Sequence, residues 1–289
     1  MGTFKTILIS ILLTVFATTI EIAGQNDLDT DHFPDMVKKV RKSLAIVKVG
    51  TNLEGIAKFG TAFILTSRGN TTFLASTYHT FFDSSEYRRT VLDSFSILIP
   101  DTSLIEIKFD VAESFRPAHV VTTLEDRDIA IITSYVPVDS IKVLNLKSLQ
   151  LGDVEIIVEG VAVAATGYNL TQRTNDFNRL QYWPTTYKGI ISSVRSIGPN
   201  VERQYIDRFQ VDMLLNKGAS GSPIYRVSDG LVVGMFNKFA HSPKDDSAPL
   251  GLAFCVPAWA ISNCVIDYFD RTEIPDTLEV IDPEQERED

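Results

Sequence analysis

From Ala45 onward the chain runs in short, often wholly apolar stretches, each closed by Gly, Asp, Asn or Pro. The first set reads as strands over 45–49, 60–65, 72–76, 94–99, 104–109, 119–122 and 129–132, with turn chemistry at Arg68-Gly69-Asn70. A second set follows the break at Val136-Pro137, over 154–159, 162–167, 186–192, 209–212, 231–237 and 252–256. Short strands punctuated this regularly belong to barrels or sandwiches. Helical spacing is expected at only two places, 34–43 ahead of the strands and 257–269 after them. Trp259, Ile261, Val265, Ile266 and Phe269 mark the apolar face of the second.

The 289 residues are ample for one large domain or two small ones with real cores. The net charge is −10, and no basic patch stands out, so nucleic acid is not an expected partner. Much of that charge sits in 272–289, which holds eight acids and one arginine with Pro275 and Pro283, the composition of a disordered tail. Residues 1–24 have the build of a secretory signal peptide. Lys5 precedes a mostly apolar run, and Ala23 and Gly24 offer a cleavage point. Export, periplasmic or extracellular, is therefore expected, with no stable membrane insertion after cleavage. Two sequons, Asn70-Thr71-Thr72 and Asn169-Leu170-Thr171, matter only in a eukaryotic secretory route. Cys255 and Cys264 make no disulfide framework and fit no metal pattern; one bridge or two buried thiols are both open.

The stretch Gly218-Ala219-Ser220-Gly221-Ser222-Pro223 suits one particular chemistry. Glycine at 218 lets the backbone turn so that its N–H and that of Ser220 can aim at one point, as an oxyanion requires. Alone, it is also an ordinary hairpin loop. Upstream, His79 ends the run Phe73-Leu74-Ala75-Ser76-Thr77-Tyr78, a strand end suited to a general base. Asp128 stands directly before Ile129-Ala130-Ile131-Ile132, where a poorly solvated carboxylate needs a hydrogen-bond donor such as an imidazole N–H. Asp126 competes for that role. His32, His119 and His241 read as ordinary histidines. The order His, Asp, Ser is that of chymotrypsin-type triads, and two strand sets would bring the three to a cleft between them.

Beyond these residues, the chain resembles trypsin-like serine proteases of the HtrA/Deg type over about 33–270. Gly60-Thr61-Ala62-Phe63 resembles the family's G-S-G-F, and Asp128-Ile129-Ala130-Ile131 its D-L-A-V. Leu151-Gly152-Asp153, Ala165-Thr166-Gly167-Tyr168 and Gly189-Ile190-Ile191-Ser192 resemble L-G-D, A-I-G-N-P and G-I-V-S. The stretch from Gln210 to Pro223 tracks Q-T-D-A-A-I-N-R-G-N-S-G-G-P, and 251–257 resembles G-I-G-F-A-I-P. The departures are Tyr78 before the histidine, Ala219 before the serine, and Ser222 in place of a glycine.

The resemblance implies an all-β fold of two six-stranded antiparallel barrels, chymotrypsin/trypsin-like, with a C-terminal helix. Barrel one would span about 44–136, barrel two about 150–257 and the closing helix about 257–269, inside a protease domain of 25–271. Too few residues follow for a PDZ module, so none is expected. The implied activity is a serine endopeptidase with His79, Asp128 and Ser220 as its triad and Gly218 and Ser220 as its oxyanion donors. It needs no cofactor and no metal, and its partners are protein or peptide substrates. In the family's register Met213, Leu214 and Leu215 form one wall of the specificity pocket, and the strand with Phe236 and Asn237 the other. No acid is expected there, so an aliphatic residue should be preferred on the acyl side. The rival expectation is a catalytically silent peptide-binding or chaperone-like protein on the same fold.

Overall fold

The computed structural model describes residues 32–50, 57–82, 105–112, 114–169, 183–196, 206–242 and 245–272. The apolar leader at 1–24, the strand expected at 94–99, most of the sequon at 169–171 and the acidic tail beyond Thr272 lie outside them.

Two closed barrels make up the fold. The first runs β1 (Leu44–Gly50), β2 (Ala57–Arg68), β3 (Thr71–Ser76), β4 (Ile105–Phe109), β5 (Arg116–Leu124) and β6 (Ile129–Tyr135), in the order β1-β2-β3-β6-β5-β4. The second runs β7 (Ala162–Tyr168), β8 (Pro184–Ser196), β9 (Ile206–Val211), β10 (Pro223–Arg226), β11 (Val232–Ser242) and β12 (Asp245–Pro257), in the order β10-β11-β12-β9-β8-β7. Every pairing within the barrels is antiparallel.

The wholly apolar strands are explained by burial on both faces. On β1, Ala45, Val47 and Val49 fill the interior of the first barrel, while Leu44 and Ile46 face outward into a second core. On β6, Ala130 and Ile132 point in, and Ile129 and Ile131 point out to that same core. On β10, Ile224 fills the second barrel and Tyr225 joins the shared core. With alternate side chains on opposite faces, a strand lying between two cores has no polar face to show. The shared core therefore holds the barrels together, drawing Phe63 and Phe73 from one and Met235 and Val256 from the other.

Two long-range helices close this arrangement. Helix α1 (Phe33–Arg41) carries proline in its first turn and basic residues in its last, both favourable positions. The closing helix, Ala258–Thr272, buries Ala260, Ile261 and Cys264 in the shared core. Its Phe269 ring meets Phe73 edge-on at 5.1 Å, with the Arg68 guanidinium 3.8 Å above it. Cys255 and Cys264 are free, buried thiols, and burial pushes both above the usual thiol range.

Three local expectations differ. The run 154–159 is not a strand: Val154–Ile156 is one turn of 3-10 helix, and Ile157 plugs the second barrel's core. Gly152 accommodates this plug, because a Cβ there would lie 2.3 Å from Ile156 Cδ1. A short apolar run does not say whether it pairs or plugs. A short helix, Val138–Leu144, also stands between the barrels where only a break was expected. Finally, His79 lies in a single helical turn, α2 (Tyr78–Phe81), just beyond β3 rather than at the strand end itself. Counting Val138–Leu144 as α3, the closing helix is α4.

Candidate active site

α2 and the 3-10 turn Glu125–Arg127 bring His79 and Asp128 together. Tyr78 N–H donates to the Asp128 carbonyl at 3.2 Å, and His79 N–H donates to Asp128 Oδ1 at 2.8 Å. The second carboxylate oxygen lies 2.6 Å from His79 Nδ1. A carboxylate only accepts, so Nδ1 carries the proton and Nε2 of the neutral ring is left as an acceptor. Ser220 Oγ stands 3.0 Å from that Nε2, in position to donate to it. It is also 3.4 Å from the Asn237 carbonyl. Asp128 has a left-handed backbone (φ 61°, ψ 44°), a conformation that costs a non-glycine residue of order 1 kcal/mol and clusters at functional sites. Asp126 is exposed in the turn, and its carbonyl accepts from Arg208 at 3.2 Å.

The loop carrying Ser220 is tied at both ends. Ala219 N–H donates to Asn216 O at 3.1 Å, closing a four-residue turn. Gly218 is at its third position with φ 93°, and Lys217 is not among the positive-φ residues, which makes the turn type II. Gly221 (φ 88°) follows Ser220 so closely packed that a Cβ would sit 1.9 Å from Thr61 O. Gly221 N–H donates to Phe236 O and Phe236 N–H to Ser222 O, locking the loop to β11. The Gly218 and Ser220 N–H groups go to no backbone acceptor among the described residues.

The expected pocket residues are differently placed from one another. Leu215 and Phe236 lie in the second barrel's core with Met213, while Leu214 is 54% exposed. Asn237 is buried and contributes its carbonyl beside Ser220. Asp212 Oδ1 accepts Ile190 N–H at 2.6 Å, so this acid ties β8 to the chain after β9. Among the described residues no cluster of His, Cys, Asp and Glu is placed to hold a metal ion.

Several residues support the site without having been expected in it. Thr61 on β2 bonds to the loop from behind, and Ser76 on β3 in turn donates to the Thr61 carbonyl. Arg127, beside Asp128, crosses to the second barrel: its guanidinium donates to Asp207 Oδ1 at 2.8 Å and lies 4.9 Å from the Trp259 ring. Its adjacency to Asp128 was the one signal available in the sequence.

Two closed antiparallel barrels with an imidazole held between a carboxylate and a serine hydroxyl form the architecture of trypsin-like peptidases. The chain belongs to the trypsin-like peptidase domain family, which matches residues 60–235. Among solved structures it is similar to the HtrA-type protease AlgW with tripeptide, at 18% identity and a TM-score of 0.56, covering 82% of this chain and 64% of that one. AlgW with decapeptide is similar at 17% identity and a TM-score of 0.58, covering 82% and 67%. A serine-to-alanine variant of AlgW with tripeptide gives 17% identity and a TM-score of 0.58, covering 82% and 63%. The chain thus spans about two thirds of the length of these proteins, and at such identity the likeness is one of fold. No curated protein matches the chain in sequence.

Proposed function

We propose that the protein is an exported serine endopeptidase. Ser220 attacks the scissile carbonyl while His79 Nε2 takes the hydroxyl proton and later returns it to the leaving amine. Asp128 holds the ring in the required tautomer and stabilises the imidazolium. Gly218 and Ser220 N–H groups receive the oxyanion. The observation carrying this reading is the continuous chain Asp128 Oδ2, His79 Nδ1, His79 Nε2, Ser220 Oγ, at 2.6 and 3.0 Å. Protein or peptide substrates fit the peptide-bound state of the similar AlgW structures. Export rests on the leader at 1–24; among the described residues no helix is long and apolar enough to cross a membrane.

Substrate preference follows from what lies next to the loop. Leu214 is exposed, its neighbours Met213 and Leu215 and Phe236 of β11 are apolar and buried in the second barrel's core, and Asp212, the nearby acid, is engaged by Ile190 N–H. An aliphatic residue is preferred on the acyl side, with modest selectivity among aliphatics at about 0.8 kcal/mol per buried methylene. Lys and Arg are rejected because their charge would be buried unpaired. A peptide library incubated with wild type and with Ser220→Ala tests both points. Cleavage after Val, Leu, Ile or Ala, absent in the variant, is expected. Cleavage mainly after Lys or Arg would overturn the pocket, and equal cleavage by Ser220→Ala would overturn the mechanism.

A further inference from the structure

Three successive carbonyls of the nucleophile loop are each held from behind. Thr61 Oγ1 donates to Gly218 O at 3.0 Å. Ser222 donates twice to Ala219 O, through its N–H at 2.9 Å and its Oγ at 2.5 Å. Thr61 N–H donates to Ser220 O at 2.8 Å. Thr61 is itself fixed, since its Oγ1 accepts Tyr168 N–H at 3.0 Å and its carbonyl accepts Ser76 Oγ at 2.7 Å. Thr61, Ser76 and Ser222 are fully buried, so no water competes for these bonds.

The direction of those bonds matters. In a trans peptide the carbonyl of one residue and the N–H of the next point in opposite directions. Drawing the Ala219 carbonyl back therefore turns the Ser220 N–H forward. Drawing the Gly218 carbonyl back sends Ala219 N–H to Asn216 O and closes the turn that presents Gly218. Ala219 has no polar side chain to hold its own peptide, and the hydroxyl that does so comes from position 222, where the resembling motif has glycine. Space for it comes from Gly167 on β7. A Cβ there would lie 1.7 Å from Ser222 Oγ and 3.0 Å from Thr61 Oγ1.

We propose that the buried hydroxyls of Ser222 and Thr61, housed over Gly167, are positioning residues that set the two oxyanion donors. The role rests on the serine-peptidase reading above. The tests use the intact chain with Ser222→Gly, Thr61→Val and Thr61→Ser. Ser222→Gly and Thr61→Val should each lower kcat for peptide hydrolysis by about 10- to 100-fold with KM little changed, short of the 10²–10³ lost with an oxyanion donor. Thr61→Ser, which keeps the hydroxyl, should retain most of kcat. Thermal unfolding identifies any variant that fails to fold. Wild-type kcat in both Ser222→Gly and Thr61→Val would overturn the role. Inactive wild type would instead count against the peptidase reading. Crystal structures then decide the positioning claim without turnover. The Asn216–Ala219 turn or the Ala219–Ser220 peptide should reorient in both variants, and an unchanged loop in both would overturn the positioning role.

Discussion

The Asp128 carboxylate is built into its place by backbone as much as by its own side chain. Its left-handed φ of 61° turns the carboxylate toward α2, where one oxygen meets His79 N–H and the other Nδ1. Asp128→Asn keeps the shape but lets the amide donate to Nδ1, which favours the wrong tautomer. Turnover should fall by about 10⁴, the scale known for a triad aspartate changed to its amide. Asp126→Asn should retain most activity, because Asp126 is exposed and His79 is served by Asp128. Steady-state kinetics of the two variants check this, and the reverse ranking would contradict it. That His79, Asp128 and Ser220 would meet was legible in the sequence, because each sits in a local pattern suited to such a hydrogen-bonded chain. Thr61 and Ser222 were not legible in these roles. A threonine inside a strand reads as a β-former, and its acceptor Gly218 is 157 positions away. The burial of Leu215 and Phe236 beside an exposed Leu214 was equally hidden, since a run of apolar residues does not disclose which member faces the core.

Most strands of the two barrels were legible as elements because they contain a short apolar run closed by a turn residue, whereas the four-residue β10 and the polar ends of the 13-residue β8 and β12 carry no such mark. What the pattern could not give was function for runs that plug or connect. The 3-10 turn at Val154–Ile156 and helix α3 are too short for periodicity to separate them from strand or loop. The β10–β11 connection shows how a charged pair sets a turn. Asp229 Oδ1 accepts Arg226 Nε and Leu231 N–H, both at 3.1 Å, and its second oxygen accepts from the same guanidinium. The Arg226 hydrogen bond holds the Asp229 carboxyl below its ordinary range. A carboxylate lowered on folding stabilises the protein above its unfolded pKa, and that contribution is lost as pH falls through the folded value. Asp229→Asn should therefore unfold earlier than wild type at neutral pH, and the gap should close once the solution is acidic enough to protonate Asp229. Denaturant midpoints measured across the acid range test this. A gap that widens toward acid would show the opposite linkage.

At the scale of the whole molecule, the site exists only because the two barrels are held in one relation. His79 and Asp128 come from the first barrel and Ser220 from the second, and the shared core with α4 spans both. Arg127 adds a polar strut beside Asp128. It donates to Asp207 Oδ1 at 2.8 Å and Asp207 O at 3.2 Å and lies over Trp259, whose Nε1 donates to Ile206 O at 3.0 Å. Arg127→Met should lower stability by about 1.5–3 kcal/mol, the range for hydrogen bonds to charged groups. It should also lower kcat more than it raises KM, because the strut holds the turn that carries Asp128; unchanged unfolding and kinetics would remove the strut from the account. The proposed mechanism turns on a nucleophilic hydroxyl at Ser220, activated by His79 and presented to an oxyanion hole. Intact-mass measurement after exposure to a fluorophosphonate reads it most directly. One phosphonyl group per folded chain, located on Ser220 and absent from Ser220→Ala and His79→Ala, is the predicted result. Folded wild type that stays unlabelled at neutral pH would contradict the claim.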